Sequence, residues 1–406
     1  MALAFITLAL TFDTAPHAER RLFGLWQTRY VVFAGFLLLV ATGCLADAIS
    51  RRALLGYLSV CVSLAGGFAL LEFVGMLGIV SWPELLTPQT SSLGTKPVPY
   101  LDVKGTSLQD TASRWGMASE PVPFRYRTDR HGFRNDIDRA DADIYLIGDS
   151  VLVAALLPFP QTVTARLEAT TNKRVMQIAL NGKSPQEEHQ YFRNANVDVK
   201  GRLVIQFISA GNDLSDSAHV RHSQSREAKI PWTKRTLSNH ITLALQELTQ
   251  PVSGNAVLRT CTISGQTYTF LWGKGSFYGL EDEMAVIGTA LTEFATEIRK
   301  AGGEFAVVFS PIKLAVLGPQ CSFPPGSEIS NFTEHIGPFR SYMHDWSNRS
   351  GIPLLDLTEP LMESARSGHI PWFWGDSHWN AEGHAVASSM LASWKPVKDV
   401  HISKLE

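Results

Sequence analysis

The chain has 406 residues and a nearly balanced charge, with 36 Lys and Arg against 38 Asp and Glu. This balance gives no general attraction to polyanions, so nucleic-acid binding is not predicted. The length excludes only small scaffolds, and the four cysteines are too scattered to predict a metal-binding motif.

Two apolar runs near the N-terminus predict transmembrane helices, at about residues 30–46 and 53–81. They define a membrane region, residues 1–82, that contacts membrane lipid. Glu72 interrupts the second run, but a position near the end of a tilted helix explains it without any functional role.

The basic pair Arg51 and Arg52 lies between the two runs, which favours a cytoplasmic turn and an extracytoplasmic location for everything after Trp82. The predicted location is therefore the inner or plasma membrane, with the domain that follows Trp82 outside the cytoplasm. Basic residues ahead of the first run conflict with this orientation: Arg20, Arg21 and Arg29.

Residues 83–141 are rich in Pro, Ser, Thr, Gly and charge, which predicts a linker and pre-domain segment. The domain predicted for residues 142–396 alternates strands with helices, which is typical of a parallel sheet in a three-layer α/β/α fold. The predicted strands are short apolar runs at 143–147, 174–179, 202–208, 304–310 and 353–357. The predicted helices are 162–170, 185–195, 281–301, 331–348 and 381–393. Residues 214–279 break this alternation, so we interpret them as an insertion beside the site.

The run Gly148-Asp149-Ser150 directly follows the first predicted strand. Reactive crevices in open parallel sheets lie beyond the carboxyl ends of strands, so Ser150 is well placed to react. A serine nucleophile needs a base and a group that orients that base. The C-terminal run Asp376-Ser377-His378-Trp379 could supply both, whereas a Gly-Asp-Ser triplet alone is weak evidence, because such a serine is usually a helix cap.

Four blocks in fixed order resemble the SGNH/GDSL hydrolase superfamily over about residues 128–394. They are YLIGDSVL at 145–152, ALNG at 179–182, SAGND at 209–213 and DSHW at 376–379. The resemblance implies a flavodoxin-like, SGNH hydrolase-type α/β/α fold preceded here by N-terminal transmembrane helices. It implies Ser150 as nucleophile, His378 as base and Asp376 as its orienting group. It also implies an oxyanion hole formed by the main chain of Ser150 and Gly182 and the side chain of Asn212.

Two blocks depart from the common pattern of this superfamily. Ala210 stands where a glycine is usual, and the glycine follows as Gly211. Asp376 and His378 are two residues apart, where many members have three, and this form resembles SGNH-like polysaccharide O-acetyltransferases.

The predicted function is a serine esterase acting on an ester, in particular an acetyl ester, of a small molecule, carbohydrate or lipid outside the cytoplasm. One alternative is an O-acetyltransferase of envelope or secreted polysaccharide. The other is a catalytically silent envelope scaffold or glycan-binding protein. No cofactor and no metal are predicted, since the helix expected after Asn380 would carry His384 away from the potential ligands His369, Asp376 and His378.

Three further features have open interpretations. Cys261 and Cys321 could form a disulfide or remain two buried thiols. The aromatic residues Trp372, Phe373, Trp374 and Trp379 could form a carbohydrate platform or pack in the core. The run His131-Gly132-Phe133-Arg134 is expected to pack beside the sheet without a catalytic role.

Overall fold

The structure is a computed structural model, and it describes residues 21–22, 26–27, 38, 41–45, 47–77, 79, 94–107, 109–111, 122–225, 236–238, 260–270, 281–323 and 337–400. The described residues divide into two compact units, a smaller N-terminal unit and a larger one whose described residues begin at Gly94. Residues 236–238 belong with the N-terminal unit.

The N-terminal unit contains the short strand pair β1 (Arg21–Leu22) and β2 (Trp26–Gln27), followed by helix α1 (Arg51–Met76). Ser50 caps α1 by accepting a hydrogen bond from the Ala53 N–H at 3.1 Å. Within the described part of the chain, α1 is the one helix that is long and apolar enough to cross a membrane. It covers most of the second predicted run, 53–81, and begins two residues before it, so the basic pair Arg51–Arg52 forms its first turn. The first predicted run, 30–46, lies mostly outside the described residues.

The larger unit is built on nine strands among the described residues. In chain order they are β3 (Asp102–Ser107), β4 (Val122–Arg127), β5 (Ile144–Gly148), β6 (Val175–Ala179), β7 (Leu203–Ser209), β8 (Thr260–Ile263), β9 (Gln266–Thr269), β10 (Glu304–Ser310) and β11 (Leu354–Asp356). Five of them form a parallel sheet in the order β11-β10-β7-β5-β6. The chain runs from β5 outward to β6 and then back across to β7, so the order reverses at β5. Such a reversal opens a crevice at the carboxyl end of the strand, where ligands bind in doubly wound folds.

The helices pack against both faces of this sheet. In chain order they are α2 (Ser150–Val153), α3 (Val163–Thr171), α4 (Pro185–Ala195), α5 (Asp213–Ser225), α6 (Glu281–Lys300), α7 (Lys313–Leu317), α8 (Gly337–Ser350), α9 (Thr358–Arg366), α10 (Ala381–Ser393) and α11 (Lys395–Asp399). Helix α10 packs on α3 and α9, whereas α6 packs on α4, α5 and α8. The predicted three-layer α/β/α fold is therefore confirmed. Each of the five predicted strands is present, with its ends shifted by at most one residue.

The pre-domain segment contains a β-hairpin, β3–β4, that the sequence patterns did not predict. Gly105 and Pro123 lie in the two strands, and neither residue is typical of a strand interior. The hairpin is stabilised at its edge by a bidentate ion pair in which Arg125 donates to both carboxylate oxygens of Asp102.

The region predicted as an insertion contains helix α5 and a second hairpin, β8–β9. A disulfide joins Cys261 on this hairpin to Cys321, with Cα atoms 5.3 Å apart. The main chains of Thr262 and Ser322 exchange hydrogen bonds beside it, at 3.0 and 3.1 Å. Of the two interpretations left open by the sequence, the structure has the disulfide, and it fixes the hairpin to the segment that follows α7.

Candidate active site

Ser150 is the first residue of α2, immediately beyond the carboxyl end of β5. Asp149 caps this helix by accepting a hydrogen bond from the Val151 N–H at 3.1 Å, and its side chain is fully buried. Gly148 permits the close packing beneath the turn, since an added Cβ would lie only 2.9 Å from Leu152 and 3.1 Å from Phe207. The strand, the tight turn and the cap together place Ser150 at the crevice predicted by the sheet order.

A pocket of about 320 Å³ lies at this edge of the sheet. Four of the five residues predicted for the site line it: Ser150, Gly182, Asn212 and His378. The fifth, Asp376, is 2% exposed and lies behind His378. The structure thus brings together residues from four separate parts of the chain.

Asp376 and His378 form a close pair despite their short spacing in sequence. The Nδ1 atom of His378 lies 2.6 Å from Oδ1 of Asp376, and the His378 main-chain N–H donates to the same oxygen at 2.9 Å. The two-residue spacing therefore lets one carboxylate oxygen orient both the ring and the backbone of the histidine. With Nδ1 bound in this way, the imidazole presents its other nitrogen as the available base.

His378 is partly exposed, with 29% of its side-chain surface accessible, because it lines the pocket. Burial disfavours the charged imidazolium, but the negative charge and hydrogen bond of Asp376 outweigh it, with further contributions from Asp110 and Asp149, and raise the pKa of His378 to about 9. The same partnership lowers the pKa of Asp376 in spite of its burial. The electrostatics stabilise an Asp376 carboxylate beside a readily protonated His378.

Gly182 adopts a left-handed backbone conformation with φ of +63°. Nothing lies within 4 Å of the position that a Cβ would occupy, so a side chain would have room here. Glycine is favoured because of the left-handed backbone conformation. Its neighbour Asn181 also lines the pocket, and the Asn181 N–H donates to the Gly94 carbonyl oxygen.

Asn212 precedes α5, and its side-chain amide donates to Oδ2 of Asp216 at 2.8 Å. The departure at Ala210 is accommodated, since its N–H donates to the Ser310 carbonyl at 2.9 Å, at the end of the neighbouring strand β10. The displaced glycine, Gly211, lines the pocket itself. The third block therefore presents a glycine and an amide to the pocket even with its glycine shifted by one position.

Asp110 is a pocket residue that sequence reasoning missed. Its main-chain N–H donates to Oδ2 of Asp376 at 2.7 Å, and its carboxylate accepts from the N–H of Ser377 at 2.8 Å. Its Oδ2 atom lies 3.9 Å from Nδ1 of His378. No sequence signal marks it, because it belongs to the pre-domain segment and meets the C-terminal block from 266 positions away.

Lys313 is a second missed residue of the pocket wall, at the start of α7. Its ammonium group is buried and donates to the carbonyl oxygens of Thr269, Phe373, Trp374 and Asp376 at 2.8–3.0 Å. Burial lowers the pKa of Lys313 to about 7. This lysine therefore joins the β8–β9 hairpin to the loop that carries Asp376 and His378.

The structure does not assemble the metal set considered from sequence. His369 is exposed, whereas His384 is buried on α10 and its Nδ1 accepts from the Val163 N–H at 3.1 Å. Among the described residues, Asp110, Asp376 and His378 form a group whose donor atoms lie within 4.8 Å of one another. Their oxygens already accept hydrogen bonds from His378, Ser377 and the Asp110 main chain, so we interpret the group as a hydrogen-bonded network.

Trp372 and Trp379 are 3% and 1% exposed and pack edge to face, with ring centroids 6.2 Å apart. They form the wall of the pocket as part of the core, which favours the packing interpretation over an open carbohydrate platform. Arg134, in the run 131–134, is buried and donates to the carbonyl oxygens of Val153, Ala154 and Leu157. It thus stabilises the chain that follows the helix bearing Ser150.

No protein-family model matches the chain, and no curated protein matches it. Solved structures with a similar fold include an acetyl xylan esterase, with 9% identity, a TM-score of 0.35, and coverage of 62% of this chain and 98% of that one. A phospholipase A1 from Streptomyces albidoflavus NA297 has 13% identity, a TM-score of 0.35, and coverage of 62% and 99%. A putative arylesterase from Agrobacterium tumefaciens str. C58 has 15% identity, a TM-score of 0.35, and coverage of 64% and 99%. Identities and TM-scores this low carry no inference about activity, so the proposals below depend on the geometry of this chain.

Proposed function

We propose that the protein is a serine ester hydrolase in which Ser150 attacks the acyl carbonyl of the substrate. The observation that carries this proposal is the pocket itself, which brings Ser150 and His378 to one cavity while Asp376 holds the imidazole from behind at 2.6 Å. A serine, a histidine and a buried carboxylate in this order are the requirements of nucleophilic acyl transfer.

In this mechanism His378 accepts the Ser150 proton as the Oγ–carbon bond forms, then gives it to the leaving alkoxide. Asp376 keeps the ring in the correct tautomer and stabilises its charged form. The developing oxyanion is bound by the main-chain N–H groups of Ser150 and Gly182 and by the Asn212 amide. Water then attacks the acyl-enzyme with His378 again acting as base, which releases the acid and restores the serine.

The substrate in this proposal is an acetyl ester of a carbohydrate or lipid outside the cytoplasm. A pocket of about 320 Å³ with the apolar side chains of Phe270 and Trp372 in its walls suits a small acyl group. The Cys261–Cys321 disulfide supports an oxidising compartment, and α1 supports anchoring in a membrane. The basic first turn of α1 supports a cytoplasmic start for that helix.

The test is hydrolysis of a chromogenic acetyl ester by the full-length chain in detergent. Ser150→Ala is expected to lose several powers of ten in kcat, because the nucleophile is removed while binding groups remain. Ser393→Ala, on an exposed turn at the end of α10, is the matched control and is expected to keep the wild-type rate. Equal rates for wild type and Ser150→Ala would show that the nucleophile is assigned wrongly.

The same preparation separates the alternatives that the sequence leaves open. Labelling of the wild type but not of Ser150→Ala by a fluorophosphonate probe would rule out a catalytically silent scaffold. Adding a polysaccharide acceptor then separates hydrolysis from acetyl transfer, which the Asp-x-His-Trp form keeps as the alternative. An O-acetyltransferase would acetylate the glycan in preference to water.

A further inference from the structure

Asp110 occupies an unusual position beside the C-terminal block. Its main chain supports Asp376, and its two carboxylate oxygens accept hydrogen bonds from the Ser377 N–H and the Ser377 hydroxyl. Asp110 is therefore hydrogen-bonded to Asp376 and Ser377 and lies close to His378. The preceding residue, Gln109, extends this support by accepting from the Gly375 N–H at 2.7 Å.

We propose that Asp110 is a positioning residue for His378. Its backbone and carboxylate fix the Asp376–His378 segment, and its negative charge stabilises the protonated imidazole together with Asp376. The catalytic role of this positioning rests on the proposed function. The effect of Asp110 on the charge of His378 can be measured without it.

The geometry gives Asp110 a role distinct from that of Asp376. Asp376 is buried and bonds Nδ1 directly, whereas Asp110 retains 37% of its side-chain surface accessible and lies 3.9 Å from the same nitrogen. Asp110 therefore acts on the ring through its charge and through the loop. Asp110 also lines the pocket, as His378 does.

Several titratable groups face His378 from the elements packed around it. They are Asp376 on its own loop, Asp110 from the pre-domain segment, Asp149 from the turn after β5, Lys313 from the start of α7 and His384 on α10. Three of the five are carboxyls. Lys313 directs its ammonium to carbonyl oxygens, and burial lowers the pKa of His384 to about 3, so that ring is neutral.

Among the carboxyls, burial and the neighbouring Asp376 raise the pKa of Asp110, while the Ser377 hydrogen bonds lower it. The Ser377 contacts thus favour the ionised form of Asp110 that would stabilise the His378 imidazolium. The charge of Asp110 therefore depends on the same serine that links it to the loop.

The consequence for catalysis follows from the sign of the charge. A second carboxylate beside the ring favours imidazolium, so a base held in this way becomes neutral only at alkaline pH. In the proposed reaction, kcat/KM of the wild type would rise with pH until His378 loses its proton. Removing the Asp110 charge would move that rise to lower pH.

The test is NMR of the full-length chain in detergent, with ¹³C-labelled histidine and the His378 signal assigned by its loss in His378→Gln. Asp110→Asn replaces the charge with an amide of the same shape, and we expect the His378 pKa to fall by about one unit or more. The matched control is Asp138→Asn, which removes a carboxylate from a surface ion pair with Arg130 and should leave the His378 pKa unchanged. An unchanged His378 pKa in folded Asp110→Asn would overturn the proposal.

A second variant keeps the proposal testable if Asp110→Asn does not fold. Ser377→Ala removes the hydroxyl that donates to Asp110 and holds its carboxylate 3.9 Å from Nδ1 of His378, so the carboxylate is held less closely and the His378 pKa should again fall. A constant or higher His378 pKa in Ser377→Ala would count against the proposal. These titrations require no ester turnover, so the failure of this inference and the failure of the proposed function are distinguishable.

Discussion

Lys313 offers a direct test of how the catalytic loop is held. Replacing it with Met keeps the apolar stem and removes the ammonium that donates to four carbonyl oxygens. The ammonium has three N–H donors to share among these four oxygens, and hydrogen bonds from a charged donor contribute about 1.5–3 kcal/mol each, or about 4.5–9 kcal/mol together. Against this, the fall of the lysine pKa from 10.5 to about 7 on burial means that folding disfavours the charge by about 5 kcal/mol.

The difference between the hydrogen-bond gain and the cost of burying the charge predicts that Lys313→Met lowers the free energy of unfolding by about 2 kcal/mol at pH 6. For a domain of this size, the melting temperature should fall by roughly 4–8 °C. The measurement is thermal unfolding of the full-length chain in detergent. The control is Lys395→Met, since Lys395 is exposed and its ion pair among the described residues is with Asp399, one helical turn away. Ester turnover should also fall in Lys313→Met, because three of the four carbonyl oxygens that Lys313 binds belong to the loop of Asp376.

The pH dependence of this effect has a definite sign. Because the Lys313 pKa is lower in the folded protein, between about pH 7 and 10.5 the unfolded chain binds one more proton than the folded one. Wild-type stability should therefore gain from this group as pH rises above 7, and Lys313→Met should lack the gain. The difference in the free energy of unfolding between the wild type and Lys313→Met should therefore increase from pH 7 to pH 9. The reasoning would be refuted if Lys313→Met had the melting temperature of the wild type, or if the difference in stability decreased from pH 7 to pH 9.

Two further predictions address the oxyanion site and the nucleophile helix. Asn212→Ala should lower kcat by about 10²–10³ with little change in KM, because the amide binds charge that develops only in the transition state, and steady-state kinetics on an acetyl ester measure both constants. A variant with a raised KM and an unchanged kcat would contradict that role. Arg134→Met should destabilise the fold by about 3–5 kcal/mol, because it leaves the buried carbonyls of Val153 and Leu157 without their donor, and thermal unfolding measures the change. Arg134→Lys should recover only part of this loss, because an ammonium lacks the fork that reaches several acceptors; full recovery would argue against fork geometry as the cause.

The sheet and its helices could be predicted because their sequences carry periodic signals. The buried runs that became β5, β7 and β10 are apolar and β-branched, as expected for parallel strands covered on both faces. Helices α4 and α10 begin after capping residues, Ser184 and Asn380, whose side chains bond the first turn. Local patterns were sufficient wherever burial and capping act within a few residues.

The hairpin and the distant residues that hold the catalytic loop could not be predicted in the same way. The β3–β4 hairpin contains Gly105 and Pro123, so no apolar alternation identifies it. Asp110 and Lys313 contact Asp376, which lies 266 and 63 positions away in the sequence. A single sequence gives no signal that connects residues so far apart. The roles assigned to Ser150, Gly182, Asn212, Asp376 and His378 stay predictions, although the structure places these residues at one pocket or directly behind it.

The spacing of Asp376 and His378 explains why such supports are needed. A two-residue spacing bends the chain so that one oxygen of Asp376 binds both the ring and the backbone N–H of His378, which leaves the second oxygen facing away from the histidine. That second oxygen is buried, and it is satisfied only by the Asp110 N–H among the described contacts. The carbonyl of Asp376 is in turn bound by Lys313.

A short catalytic turn therefore relies on donors from two distant segments, one before the sheet and one after β10. Unsatisfied buried acceptors would otherwise cost about 1–3 kcal/mol each, enough to make an alternative arrangement of the turn competitive. If this reasoning holds, loss of either support should loosen the turn before the sheet unfolds. Hydrogen exchange at the Ser377 and His378 amides should then accelerate in Lys313→Met while the amides of β7 remain protected.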